Sequence, residues 1–176
     1  EEKSLELMKK CIELAQDLGV RTIQLAGYDV YYEEKSPQTR QRFIKNLRKA
    51  CDWAEEAQVV LAIEIMDDPF INSIEKYLAV EKEIDSPYLF VYPDIGNVSA
   101  WHNDVYSEFY LGHHAIAALH LKDTYAVTES SKGQFRDVPF GQGCVKWEEA
   151  FDILKQTNYN GPFLIEMWSE NCETVE

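Results

Sequence analysis

The sequence predicts an α/β protein built on a parallel sheet covered by helices. Five short runs are apolar almost without interruption: TIQLA at 22–26, VVLAIEI at 59–65, YLFVY at 88–92, IAALHL at 116–121 and FLIEM at 163–167. They alternate with longer segments of helical periodicity. A strand that does not alternate apolar with polar is buried on both faces, the condition of a parallel strand inside right-handed βα units. A third observation narrows the class. No glycine-rich turn follows the first run and no GxGxxG occurs, so a dinucleotide or P-loop site lacks its phosphate cradle.

The elements follow in order. Leu5, Met8, Cys11, Ile12, Ala15 and Leu18 recur every three or four residues, and Gly19 stands where a helix C-terminus takes a left-handed residue. After the first strand, Ser36-Pro37 opens a second helix whose apolar face runs through Phe43, Ile44, Leu47, Cys51, Ala54 and Ala57. Beyond the second strand, Asn72 with Glu75 reads as a capping box ahead of Ile74, Leu78 and Ile84. VYSEFYLGHHAIA reads as a helix, on which the adjacent His113 and His114 point in different directions and make no joint metal site. From Thr124 to Gln142 an irregular loop is expected, long enough to be functional. Trp147, Ala150, Phe151 and Leu154 mark the last helix, which ends before Asn160-Gly161-Pro162 and the last strand.

Composition removes several classes of function. A chain of 176 residues, 45% apolar and 12% aromatic, builds a core. With 17 basic against 31 acidic residues the net charge is −14, and no cluster of cations offsets it, so nucleic acid is not expected as a partner. No apolar run reaches the roughly 18 residues that a bilayer requires, and EEKSLELMKK resembles an amphipathic helix rather than a signal peptide. No membrane partner and a cytoplasmic location are expected. Cys11, Cys51, Cys144 and Cys172 form no CxxC pair, which fits reduced thiols. The chain opens without methionine, already inside a helical pattern, so a preceding segment is expected.

The informative residues are those that interrupt the apolar runs. Glu64, Asp94, His120 and Glu166 each stand at the carboxyl end of a different strand. In parallel barrels all such ends converge on one face, where active sites sit. Three carboxylates brought together in a half-buried mouth repel one another unless a cation neutralises them. Oxygen-rich ligation with one imidazole suits a single divalent metal, Mn²⁺, Zn²⁺, Mg²⁺ or Co²⁺, with positions left open for substrate.

These residues lie in the stretches LAGYDVYYE (25–33), AIEIMD (62–67), VYPDIGNVSAW (91–101), HLKDT (120–124), FRDVPFGQGCV (135–145) and GPFLIEMW (161–168). Together they resemble the L-ribulose-5-phosphate 3-epimerases, also called L-xylulose-5-phosphate 3-epimerases, of the xylose-isomerase-like superfamily. The resemblance implies a (β/α)₈ TIM barrel, of which residues 1–176 form a single barrel domain lacking the N-terminal β1 to β3 portion and holding the C-terminal five strands. It implies a metal held by Glu64, Asp94, His120 and Glu166, with Glu64 and Glu166 also acting as the acid/base pair. Inverting a centre next to a ketone removes the C3 proton on one face and returns it on the other, so two bases on opposite walls are needed around a cis-enediolate.

A sugar phosphate substrate also needs donors, and Arg136, Asn97, Lys122 and the backbone of Gly141 and Gly143 are expected to supply them, with Asp67 and His102 reaching the same mouth. Tyr28, Tyr31 and Tyr32 are expected to cover the barrel rim. A homodimer is what the family suggests. Dehydration or isomerisation on the same scaffold is the competing reaction, and an inactive fragment that acts as a binding module is the non-enzymatic reading.

Overall fold

The computed structural model describes residues 1–168. Helix α1 (Glu2–Leu18) ends on Gly19 in the left-handed region, at φ 70°. Strand β1 (Thr22–Ala26) leads to α2 (Pro37–Ala57), where Ser36 Oγ accepts from Thr39 N and Thr39 Oγ1 accepts from Ser36 N, a reciprocal cap. Strand β2 (Val60–Glu64) is followed by α3 (Ile74–Ile84). The cap of α3 is Ser73, whose hydroxyl accepts from Lys76 N at 3.1 Å, rather than the expected Asn72 with Glu75. The helix starts one residue later because Ser73 takes the extended conformation that a cap requires.

Strand β3 (Leu89–Tyr92) runs into the short helix α4 (Ile95–Ala100), and α5 (Val105–Gly112) with a 3₁₀ turn at His113–Ala115 leads to β4 (Leu119–Leu121). The segment expected as an irregular loop instead carries an antiparallel ribbon, β5 (Asp123–Tyr125) with β6 (Gln134–Val138). Helix α6 (Trp147–Gln156) and β7 (Phe163–Ile165) complete the described chain.

Strands β1, β2 and β3 pair in parallel, and so do β4 and β7. Parallel bridges from Val91 to Ile116 and from Asp94 to His120 join the two groups, giving one arc in the order β1, β2, β3, β4, β7. The expectation of strands buried on both faces holds at β2, where Leu61, Ala62 and Ile63 are fully buried. Each large side chain so enclosed contributes about 1.5–3 kcal/mol. It does not hold at β7, where Phe163, Leu164 and Ile165 are 45%, 52% and 62% exposed. Among the described residues β7 pairs with β4 alone.

Below the sheet, Ile12, Ile44, Leu47, Cys51, Ile74, Tyr77 and Ile153 pack into one core. Tyr77 is fully buried, and its hydroxyl donates to Leu89 O at 2.9 Å, so its polar end is satisfied where β3 begins. Among the described residues no helix is long and apolar enough to cross a membrane. Cys11, Cys51 and Cys144 are free thiols, and Cys172 lies outside the described residues.

Candidate metal centre and active site

The strand register brings the four residues to one level. Glu64 closes β2 opposite Tyr92 of β3, Asp94 bridges to His120, and Glu166 N donates to Leu121 O just past β7. One donor atom from each of Glu64, Asp94, His120 and Glu166 lies within 4.8 Å of every other. Their geometry centres on the imidazole. His120 Nδ1 is 3.0 Å from Glu64 Oε1, 3.2 Å from Glu166 Oε2 and 3.9 Å from Asp94 Oδ2. His120 is buried, and its Nε2 has no hydrogen-bond partner among the described residues.

Each carboxylate is oriented by its own local structure. Asp94 is the N-cap of α4, so Oδ1 accepts from Asn97 N at 2.9 Å while Oδ2 turns into the centre, 2.9 Å from Lys122 Nζ. Glu64 Oε2 accepts from Gln24 Nε2 at 2.6 Å. Glu166 Oε1 accepts from Trp168 Nε1 at 3.0 Å, and Lys122 Nζ stands 3.3 Å from both of its oxygens. Burial, the largest influence on Asp94, raises its carboxyl above the ordinary range against the pull of Lys122. Burial also works against the charge on His120, but the hydrogen bonds to Glu166 and Glu64 outweigh it and raise the imidazole to about 9. For Glu166 the opposing burial is outweighed by His120 and Lys122, which hold it below the ordinary carboxylate range.

This donor set fits a divalent cation. Metal–oxygen and metal–nitrogen bonds of about 2.0–2.2 Å put the ligands of one ion within about 4.4 Å of one another, close to the separations present here. Three carboxylates beside Lys122 leave a negative cluster around His120, which a dication bound to the neutral imidazole would balance.

The surrounding cavity, about 280 Å³, is lined by the expected Arg136, Asn97, Lys122 and Asp67 together with Gln24, Met66, Phe135 and Trp168. Asn97 donates through Nδ2 to Ile65 O at 2.9 Å, and Asp67 accepts from the Tyr28 hydroxyl, which also reaches the cavity. Two expectations are corrected. His102 lies outside this mouth: it lines a separate cleft with Ser99, Cys144 and Lys146, and its Nε2 is 2.5 Å from Val127 O. The backbone N–H groups of Gly141 and Gly143 are not available to a phosphate, because both donate to Asp123 Oδ2, at 2.8 and 3.0 Å. Tyr32 is 95% exposed and stacks edge-on against Tyr31, which in turn packs against Tyr28.

The sequence does not single out Gln24 or Trp168, both of which line the cavity. Gln24 interrupts TIQLA as the other polar residues interrupt their runs, but in mid-strand rather than at its end. Trp168 lies two residues after Glu166, the spacing at which an extended chain presents two side chains on one face.

Residues 1–176 match the family described as Xylose isomerase-like TIM barrel. The chain belongs to this family. It is 56% identical over 172 residues to SgbU of Haemophilus influenzae, covering 98% of this chain and 60% of that protein. It is 51% identical over 171 residues to the L-ribulose-5-phosphate 3-epimerase UlaE of Escherichia coli O157:H7, covering 97% of this chain and 58% of UlaE. The chain therefore spans less than two thirds of the length of these relatives. Among solved structures, that of an L-ribulose 3-epimerase superposes with a TM-score of 0.78 at 20% identity, covering 94% of this chain and 54% of its own, a likeness of fold.

Proposed function

We propose that the protein is a divalent-metal-dependent 3-epimerase that interconverts L-xylulose 5-phosphate and L-ribulose 5-phosphate. The observation that carries this reading is the placement of two glutamates from different strands, Glu64 and Glu166, on the same imidazole nitrogen at the mouth of the sheet. Similarity to UlaE, named an L-ribulose-5-phosphate 3-epimerase, supplies the substrate class.

Glu64, Asp94, His120 and Glu166 would hold the metal, with Mn²⁺, Mg²⁺, Co²⁺ or Zn²⁺ suited to the donor set. When bound, the cation would supply positive charge that stabilises the enediolate and makes the C3 proton more acidic. The protein's own groups do the rest. One glutamate removes the C3 proton from one face, and the other returns a proton to the opposite face; the roles exchange in the reverse direction. Gln24 and Trp168 hold the outer oxygens of these two carboxylates, and Asn97 and Asp67 border the space for the sugar hydroxyls. Arg136 lines the cavity and offers a planar cation suited to a phosphate.

The test is incubation with L-xylulose 5-phosphate and Mn²⁺ in D₂O, followed by NMR. Deuterium at C3 with formation of L-ribulose 5-phosphate is the expected result. A dehydrated product, or no exchange at C3, overturns the reading.

A further inference from the structure

Trp168 joins two parts of the cavity that come from different elements. Its indole N–H donates to Glu166 Oε1 at 3.0 Å, and the face of its ring lies 4.0 Å from the Arg136 guanidinium carbon. Arg136 belongs to the β5–β6 ribbon and Glu166 to the segment leaving β7. The contact is a cation on the face of the best aromatic acceptor, an arrangement that holds both partners in place.

The two oxygens of Glu166 are thereby made unequal. Oε2 faces His120, while Oε1 meets the indole. Lys122 is 3.3 Å from each oxygen and does not distinguish them. The last torsion of a glutamate is broad, so a carboxylate held only by a central cation can rotate about it. A rigid N–H donor on one oxygen removes that freedom.

We propose that Trp168 is a positioning residue. Its N–H sets the orientation of the Glu166 carboxylate as a proton carrier, and its ring seats Arg136 on the same substrate. This inference rests on the reading of Glu166 as one of two bases. It predicts an unequal effect on the two faces of the substrate, because the outer oxygen of Glu64 is held by Gln24 rather than by the indole.

The decisive variant is Trp168→Phe, which keeps the ring face and removes the N–H. Epimerisation is expected to fall about 10- to 100-fold in both directions, the usual effect of losing a partner that orients a site carboxylate. Deuterium exchange at C3 should continue at the wild-type rate in the epimer that Glu64 deprotonates, and Mn²⁺ affinity should not change. In ¹⁵N-labelled protein, the indole resonance that disappears in W168F should lie downfield and move in E166Q.

A W168F protein that epimerises like wild type, while E166Q is inactive, removes the role of Trp168 alone. Equal loss of exchange in both epimers together with weaker Mn²⁺ binding assigns Trp168 to the fold and also overturns the inference, as does an indole resonance indifferent to E166Q. Normal epimerisation by E166Q instead removes the two-base reading and, with it, the role given to Trp168.

Discussion

Glu64 and Glu166 meet at one atom, 3.0 and 3.2 Å from Nδ1 of His120, although 102 positions of sequence numbering separate them (166 less 64). Each is bound on its other oxygen by a different neutral donor, Gln24 or Trp168. The two carboxylates thus share His120 but differ in their other partners, and only Glu166 also has Lys122 beside it.

Replacing either glutamate by glutamine keeps the shape and removes the base. Glu64→Gln and Glu166→Gln are each expected to reduce epimerisation by about 10²- to 10⁴-fold with native circular dichroism. NMR of the sugar mixture measures the effect, and near-normal turnover in either variant would contradict the two-base mechanism.

Metal binding should release a proton. In the metal-free protein His120 is held protonated up to about pH 9, whereas a ligating imidazole nitrogen must be bare. Affinity for Mn²⁺ should therefore rise as pH increases from 6 to 9. Calorimetry in two buffers of different ionisation enthalpy should show about one proton lost per ion at pH 7. The same shift has the opposite sign for folding without metal. The imidazolium stabilises the native state fully below about 6.5, its ordinary value, and this contribution disappears as pH passes through about 9.

Lys122 is buried beside Asp94, which is wholly enclosed, and Lys122→Met removes the cation from a buried pair. At pH 8 the loss without metal should be about 3 to 5 kcal/mol. It should shrink as pH falls and Asp94 takes up a proton, since burial already raises that carboxyl. Thermal melts should show the drop and partial recovery on adding Mn²⁺; a melt unchanged at pH 8 excludes the pairing.

The ribbon that carries Arg136 is pinned by Asp123, whose oxygens accept from the N–H groups of Thr124, Gly141, Gly143 and Val145. A Cβ at Gly143 would fall 2.0 Å from Asp123 Oδ1 and 2.4 Å from Thr124 O. Gly143→Ala is expected to cost about 1–3 kcal/mol, to raise KM more than it lowers kcat, and to open residues 126–142 to limited proteolysis. Unaltered KM and protease resistance would show that the ribbon does not depend on this contact.

The cap of α3 offers a local test. Ser73→Ala should destabilise by about 1 kcal/mol, whereas Asn72→Ala should be nearly silent. Urea denaturation of the two variants decides between the positions.

Much of this protein is legible in its sequence. The apolar runs mark the five strands of the arc, most clearly β2, which is buried on both faces, and polar residues at or just past strand ends mark the four candidate ligands. The start of α2 at Ser36-Pro37 is legible, whereas at α3 both Asn72 and Ser73 are capping residues and the extended backbone of Ser73 makes it the cap. The ribbon at Asp123–Val138 leaves little trace in the sequence because β6 is mostly exposed and carries little hydrophobic periodicity.

What the sequence alone determined was the α/β class, the five strands of the arc and Glu64, Asp94, His120 and Glu166 as the polar residues at their ends, all consequences of hydrophobic pattern over a few neighbouring residues. Only the tertiary structure decided which side chains meet. Register brought Asp94 level with His120, left His102 in another cleft, committed the N–H groups of Gly141 and Gly143 to Asp123, and placed Gln24 and Trp168 against the two glutamates. The physical reason is that hydrogen bonds and ion pairs act over about 3 Å, so they depend on how distant segments align, which no local pattern records.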